Sequence, residues 1–365
     1  MKYYIIVGEA SGDLYGSRLI TEIKSLDKNA KIRFWGGDKM ILSGGTIVKH
    51  IRELAFMGFY EVIINLNKIF SNISLCKRDI IEFNPDKIIY IDYPGFNLRI
   101  CDWAKKKGFK NYYYVSPQIW AWKEGRIKKI KRSIDKLFVI FPFEKKYYSE
   151  KHKMETFYFG HPLIEVINSY KSNTSFFKEN SIPSNKPVVA FLPGSRIQEV
   201  KTMLPIFLSI ISNYPDYNFI IAGVNNVNPK LYDLGSHPNL FIVYNKTYDL
   251  LTNSFAAIVT SGTASLECSL FKVPQIVCYK TSFLSFFIGK LFVKIRHISL
   301  VNIILEKDII KELIQDDLNK QNLSYEFNKL CKEEKRLKII QEYSKIYDLL
   351  SVKDTTKKIA SSIFS

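Results

Sequence analysis

The sequence predicts an α/β protein built from two doubly wound domains that face each other across a cleft. Short apolar runs alternate with amphipathic helical stretches through the first half of the chain. The pattern restarts after a Ser-, Asn-, Lys- and Pro-rich stretch at 168–187, which reads as a linker. Each half opens alike, with an apolar strand and a glycine turn before a helix: IIVGEASGD in the first, VVAFLPGSR in the second. At 365 residues, 47% of them apolar, the chain is long enough for two domains that each bury a core.

Strands of the first half are expected at 2–7, 31–34, 46–49, 86–92, 111–115, 136–141 and 156–159, with helical stretches such as 13–26 and 66–83 between them. Those of the second half fall near 187–192, 217–222, 240–243, 256–260 and 275–279, and the chain from about 305 on reads as helical and highly charged. Ligands of open parallel sheets sit at the carboxyl ends of the strands. The residues that follow each strand are therefore the ones to read for chemistry.

Gly8-Glu9-Ala10-Ser11-Gly12-Asp13 follows the first strand and lacks GxGxxG, so it does not support a dinucleotide site. Asp13 or Ser11 suits a cap of the helix that follows, whereas Glu9 directs a charge toward the cleft. The run Ile88–Ile91 ends in Asp92, which suits either a general base for a substrate hydroxyl or a cap of the Pro94-Gly95 turn. Residues 112–132, YYYVSPQIWAWKEGRIKKIKR, combine aromatics with a basic run. There Ile127, Ile130 and Ile134 form an inward stripe and leave Lys128, Lys129, Lys131 and Arg132 exposed. Such a face suits nucleic acid, acidic lipid headgroups or plain solvation. Trp120 and Trp122 read as core or cleft wall.

Two junctions of the second half point to bound anions. In PVVAFLPGSRIQEV a Pro193-Gly194 turn leads into a helix start, with Ser195 and Gln198 spaced as a capping box and Arg196 in the first helical turn. A cation there is out of place for a bare helix, which favours acidic residues, and makes sense beside an anion. In AAIVTSGTASLECSLFKVPQIVCY a strand enters Ser261-Gly262-Thr263, and the helix that begins there carries Glu267 one turn beyond Thr263. A phosphate at the hydroxyl end and a ribose diol at the carboxylate suit a nucleotide diphosphate. GxxxxGK[ST] is missing, which sets the chain apart from P-loop NTPases.

Composition narrows the classes. The five cysteines (Cys76, Cys101, Cys268, Cys278, Cys331) have no CxxC spacing, and the five histidines form no HExxH, so neither a metal nor another cofactor is expected. MKYYIIVGEASGD is too short in its apolar part for a signal peptide, and no run reaches the roughly 18–20 apolar residues that cross a bilayer. A net charge of +18 implies attraction to nucleic acid, acidic phospholipid or phosphorylated substrates, or a surface that simply uses lysine by default. The stretches 54–70 and 281–296, the latter with Phe283, Phe286, Phe287 and Leu291 beside Lys280, Lys290, Lys294 and Arg296, suit interfacial helices at a membrane surface.

In order along the chain, GEASGD (8–13), MGFYEV (57–62), IDYPGFN (91–97), YYVSPQIWAW (113–122), FPFEKKYY (141–148), GHP (160–162), LPGSR (192–196), SGTASLE (261–267), SLVN (299–302) and ELIQ (312–315) resemble the lipid-A-disaccharide synthase family. The resemblance runs from about 3 to 318 and supports no assignment of the tail beyond 320. It implies a GT-B type glycosyltransferase with two Rossmann-like domains: an acceptor-binding, membrane-facing domain at 1–167 and a UDP-sugar-binding domain at 168–344. A last helix at about 345–365 would cross back to the first. It also implies UDP-2,3-diacylglucosamine as donor and 2,3-diacylglucosamine 1-phosphate as acceptor. The products are then a β(1→6) disaccharide 1-phosphate and UDP, with inversion. By the same resemblance Glu9 and Asp92 fall on acidic residues associated with activity. Arg196, Glu267, Asn302 and Gln315, with Gly194, Ser195, Ser261, Gly262 and Thr263 around them, fall in the nucleotide-sugar half. No nucleic-acid partner is implied; a cytoplasmic, peripheral place on the inner face of the inner membrane and a domain-swapped homodimer are. Two positions depart from the pattern. Gly95 replaces the usual acidic residue, which leaves Asp92 as the stronger base candidate, and Val301 replaces the usual proline before Asn302. The rivals are another UDP-sugar enzyme of the same fold, an epimerase or transferase, and a basic nucleic-acid-binding protein.

Overall fold

Runs such as KYYIIV, KIIYI and VVAFL are apolar on both faces, and both faces are covered, as parallel strands between helices require. The computed structural model describes residues 1–54, 66–225, 227–232, 235, 237–282, 286 and 296–365. Two units emerge: one gathers Met1–Glu165 with Leu350–Ser365, and the other holds the described residues between them.

In the first unit seven parallel strands, β1 (Lys2–Val7), β2 (Lys31–Gly36), β3 (Thr46–His50), β4 (Lys87–Ile91), β5 (Lys110–Tyr114), β6 (Lys136–Val139) and β7 (Phe157–Tyr158), lie in the order β3-β2-β1-β4-β5-β6-β7. Its core is rich in tyrosine, and a buried hydroxyl needs a partner. Tyr4 donates to Asp79 at 2.7 Å and accepts from the Trp35 indole at 2.8 Å, while Tyr90 donates to Asn111 at 3.0 Å. The helix Thr355–Phe364 belongs to this unit and packs on the helix Ala10–Leu26, burying Ile359, Ala360 and Ile363. Its last carbonyls accept from two lysines at the starts of β4 and β6: Lys136 reaches Ser362 O at 2.6 Å, and Lys87 reaches Phe364 O at 2.7 Å and Ile363 O. Cations at the negative end of a helix are favourably placed.

In the second unit six parallel strands, β8 (Val188–Leu192), β9 (Asn218–Gly223), β10 (Leu240–Tyr244), β11 (Ala256–Thr260), β12 (Gln275–Tyr279) and β13 (Lys311–Ile314), lie in the order β10-β9-β8-β11-β12-β13. Each sheet thus reverses its winding between the first and fourth strands of its unit, β1 beside β4 and β8 beside β11.

The twelve strands expected from sequence are present. The thirteenth, β13, lies in the stretch read as helical: KELI is a short edge strand, where charged residues are tolerated. The stretch 168–187 is more than a linker, since Phe176 and Ile182 belong to the core of the second unit. Ile130 and Ile134 are buried as the inward stripe requires. The two stretches read as membrane-facing, 54–70 and 281–296, fall largely outside the described residues, as does the motif at 57–62. Among the described residues no helix is long and apolar enough to cross a membrane.

Candidate active site

Both groups of candidate residues follow strands at the reversal point of their own sheet, where open α/β sheets place ligands. In the first unit β1 leads through Gly8 to Glu9, which stands at the N-cap of Ala10–Leu26 with extended backbone. A Cβ on Gly8 would lie 2.3–2.6 Å from ring atoms of Tyr93, so only glycine lets that ring rest on the first junction. Asp13 corrects an expectation. Its carboxylate accepts from the N–H groups of Gly37 at 2.7 Å, and of Lys39 and Met40 at 3.1 Å, and so caps the neighbouring helix Asp38–Ser43 rather than its own.

β4 leads directly to Asp92. Asp92 and Tyr93 both adopt left-handed backbone, φ 48° and 50°, which costs a non-glycine residue about 1–3 kcal/mol each. Neighbours hold the strained pair in place. The Asp92 N–H donates to Tyr114 O at 3.0 Å, and its carbonyl accepts from Asn97 Nδ2 at 2.7 Å and Tyr113 OH at 2.6 Å. Burial, then the neighbouring charge of Glu9, push the Asp92 carboxyl up to about 7. A carboxylate titrating there is a base matched to neutral pH. Tyr93 is pushed up to about 12 by burial and the same Glu9, so its hydroxyl keeps its proton.

A second acid, not singled out from sequence, lies near the ends of β5 and β6. Glu144 is fully buried and accepts from Trp120 Nε1 at 3.0 Å, Ile140 N–H at 3.0 Å and Phe141 N–H at 3.1 Å. Burial pushes its carboxyl up to about 7.

In the second unit β8 leads to Gly194, whose φ of 108° favours glycine and whose Cβ would fall 2.3 Å from Glu199 Oε2. The carboxylate that approaches there is the cap. Glu199, not Gln198, accepts from the N–H groups of Ser195 at 3.0 Å and Arg196 at 3.2 Å. Arg196 is at the N-cap rather than in the first turn, and its guanidinium pairs with Glu199 at 2.6 Å. An acidic side chain of the protein itself therefore faces the amides expected to face a ligand. The sequence carried the signal, an acid three residues after the cap, but read it one residue early.

β11 leads to Ser261, Gly262 and the helix Thr263–Leu270. The first-turn amides of a helix lack intrahelical partners, and Gly262 and Thr263 are exposed. Glu267 lies one turn on, and Tyr248, from the helix Thr247–Thr252, donates to its Oε1 at 2.9 Å. Nothing local in the sequence links these two residues.

Three other candidates are engaged by the protein. The Ser261 hydroxyl donates to Ile298 O at 2.9 Å. Asn302 is buried; its Nδ2 donates to Ile310 O at 3.0 Å and Glu312 Oε1 at 2.9 Å, and its Oδ1 accepts from Ile309 and Ile310 N–H at 2.9 and 3.1 Å. Those four bonds use the full capacity of the amide. Gln315 grips the backbone of Thr281, accepting from its N–H at 2.8 Å and donating to its carbonyl at 3.1 Å. Asn302 therefore has no amide valence left over, whereas the Ser261 hydroxyl and the Gln315 amide each keep hydrogen-bonding capacity beyond these bonds. Among the described residues no cluster of His, Cys, Asp and Glu is arranged to hold a metal ion.

The fold resembles a UDP-GlcNAc 2-epimerase from Neisseria meningitidis, solved with UDP-GlcNAc bound, at a TM-score of 0.69 and 15% identity over 100% of both chains. It also resembles the UDP co-structure of MnaA from S. aureus at 0.68 and 13% identity, over 99% of this chain and 95% of that one. At such identity the likeness concerns the GT-B fold. Sequence relatives are nearer. A lipid-A-disaccharide synthase of Coxiella burnetii (strain Dugway 5J108-111) is 35% identical over 331 residues, 88% of this chain and 86% of its own. That of Francisella philomiragia subsp. philomiragia is 35% identical over 378 aligned residues, 98% of this chain and 97% of its own. Lipid-A-disaccharide synthase 1 of Legionella pneumophila (strain Paris) is 36% identical over 328 residues, covering 88% and 85%. The family model described as lipid-A-disaccharide synthetase matches residues 3–363, well into the tail that the motifs leave unassigned. Neither an epimerase nor a nucleic-acid-binding protein is favoured by a match of that extent. The chain belongs to the lipid-A-disaccharide synthase family, glycosyltransferases of GT-B fold.

Proposed function

We propose that the protein transfers diacylglucosamine from UDP-2,3-diacylglucosamine to the 6-hydroxyl of 2,3-diacylglucosamine 1-phosphate, with inversion, giving the β(1→6) disaccharide 1-phosphate and UDP. The observation that carries this reading is the strained, half-buried Asp92, set at the reversal point of its sheet and pushed up to about 7 by desolvation and the neighbouring Glu9. Asp92 accepts the proton of the hydroxyl as its oxygen attacks the anomeric carbon and the bond to UDP breaks. Glu9 tunes that carboxylate. In the second unit the helix start at Gly262–Thr263 stabilises charge on the departing diphosphate, and Glu267 holds the ribose. Arg196 joins them by exchanging the Glu199 carboxylate for a phosphate oxygen, so it acts only once that pair opens. No cofactor is called on, since cationic and dipolar groups take the place of a metal.

The charge of +18 and the exposed Lys128, Lys131 and Arg132 support peripheral contact with acidic headgroups, on the inner face of the inner membrane. A homodimer, possible by exchange of the last helix, belongs to the same reading. The test is incubation of the purified protein with both substrates and mass spectrometry of the lipid product. The disaccharide 1-phosphate is the expected product. Its absence, with UDP-N-acetylglucosamine epimerised instead, overturns the reading.

The pH profile gives a second check. Asp92 serves as base only when ionised, so kcat/KM climbs as pH rises through about 7. The negative charge of Glu9 favours the protonated form. Glu9→Gln therefore lowers the Asp92 pKa, and the acid limb of the profile moves to lower pH.

A further inference from the structure

The basic run after β5 divides into two parts with different surroundings. Arg132, on the helix Ile127–Ser133, pairs with Asp102 at 2.8 Å, as a solvated face does. Before that helix, Trp122 stands 41% exposed, and two cations gather over its indole: Lys123 Nζ lies 4.4 Å from a ring centroid and Arg126 Cζ 5.3 Å. Arg126 also lies within electrostatic reach of Arg99, from the helix Pro94–Lys106 that starts two residues after Asp92. The local acid is turned elsewhere, since Glu124 pairs with Lys151 at 2.5 Å and with His152 at 3.4 Å, and accepts from Tyr147 OH at 3.1 Å. Among the described residues, Arg99, Lys123 and Arg126 form no salt bridge.

Partial burial, and after it a neighbouring like charge, disfavour the charged forms of Lys123, beside Arg126, and of Arg126, in reach of Arg99. An anion among them relieves both. Arg126 is also within electrostatic reach of Tyr113, whose hydroxyl donates to the Asp92 carbonyl at 2.6 Å, which links the cluster to the turn that carries Asp92 in the same unit. In a glucosamine 1-phosphate the carbon that bears the phosphate and the carbon that bears the 6-hydroxymethyl arm both flank the ring oxygen, so the phosphate and the 6-hydroxyl leave the ring from neighbouring positions. A base with a cationic cradle beside it matches that molecule.

We infer that Arg99, Lys123 and Arg126, backed by the indole of Trp122, bind the phosphomonoester of the acceptor whose hydroxyl Asp92 deprotonates. This inference rests on the transfer reading above and adds to it the means of acceptor selection. The guanidiniums supply forked, charge-assisted hydrogen bonds to phosphate oxygens, and the indole gives a rigid wall.

The test compares wild type with Arg126→Gln, a half-exposed position where glutamine keeps the stem. Steady-state kinetics use diacylglucosamine with and without its 1-phosphate. The preference for the phosphorylated acceptor is expected to fall about 10–100-fold, mostly through KM, as loss of a charged hydrogen bond requires. In parallel, glucosamine 1-phosphate is titrated against tryptophan fluorescence. A saturable change in wild type, lost in Arg126→Gln and Trp122→Phe and not produced by glucosamine, supports the site. An unchanged preference together with an unchanged titration overturns it. Weaker binding of Arg126→Gln to phosphatidylglycerol vesicles with its acceptor preference intact also overturns it, and assigns the cations to headgroups. If wild type makes no disaccharide, the transfer reading fails, and the titration still decides whether the cluster binds a sugar phosphate.

Discussion

Asp92→Asn is expected to lower kcat by about 10²–10⁴-fold, the usual worth of general-base assistance, or about 2.7–5.5 kcal/mol of barrier. Asparagine is the discriminating replacement because it tolerates the left-handed backbone at this position, where alanine adds strain. The bonds that hold the turn come from the Asp92 main chain, its N–H to Tyr114 and its carbonyl to Asn97 and Tyr113, and none is lost. What disappears is the ability to take a proton. Affinity for UDP, assigned to groups of the second unit, stays within about 2-fold, below the cost of one ordinary hydrogen bond. Calorimetric titration with UDP and steady-state kinetics on the same preparation separate the two effects. Activity within a few-fold of wild type would remove Asp92 from the role and leave Glu9 as the base.

Glu144→Ala is expected to destabilise the first unit by about 3–5 kcal/mol, because buried donors lose their acceptor at once. Trp120 Nε1–H, Ile140 N–H and Phe141 N–H all converge on this carboxylate. Denaturant melts followed by tryptophan fluorescence should show the loss, with UDP affinity of the folded protein retained. Glu144→Gln costs less, and its penalty carries a pH signature. Burial raises the folded-state value from 4.5 to about 7, so the folded protein holds this proton more tightly than the unfolded chain. That contribution is complete below about 4.5 and is lost as pH rises through about 7. Glutamine has no such dependence, so the gap between wild type and Glu144→Gln narrows from pH 5 to pH 8. A gap that stays constant instead would mean that the carboxylate is ionised throughout.

Most of the fold was legible because parallel strands covered on both sides read as unbroken apolar runs bounded by polar turns. β13 was not, since an edge strand of four residues with charged members carries no such run. The acid pair was legible for a related reason: a charge immediately after a buried strand, as at Glu9 and Asp92, has few places to point except the ligand end of the sheet. What sequence reading missed depends on partners far along the chain or on side-chain direction. Tyr248 meets Glu267 from another helix, and the Trp120–Glu144 bond joins two separate motifs. Glu199 displaced Gln198 as cap because both are spaced for it and only backbone geometry decides which reaches the amides. Resemblance singled out Asn302 and Gln315 but could not show their bonds to Glu312 and Thr281, which the structure gives. The basic run was ambiguous because a paired cation, such as Arg132, and one without an ion pair among the described residues, such as Arg126, look alike in a sequence.

The helix Thr355–Phe364 seals the first unit, yet in synthesis it follows everything in the second. On a ribosome adding about 5–20 residues per second, the growing chain spends on the order of ten seconds or longer between the two halves of that partnership. The second unit is free to condense as soon as it leaves the exit tunnel. The first keeps the docking side of Ala10–Leu26 wet until Thr355–Phe364 has emerged, which makes it the half most in need of a chaperone.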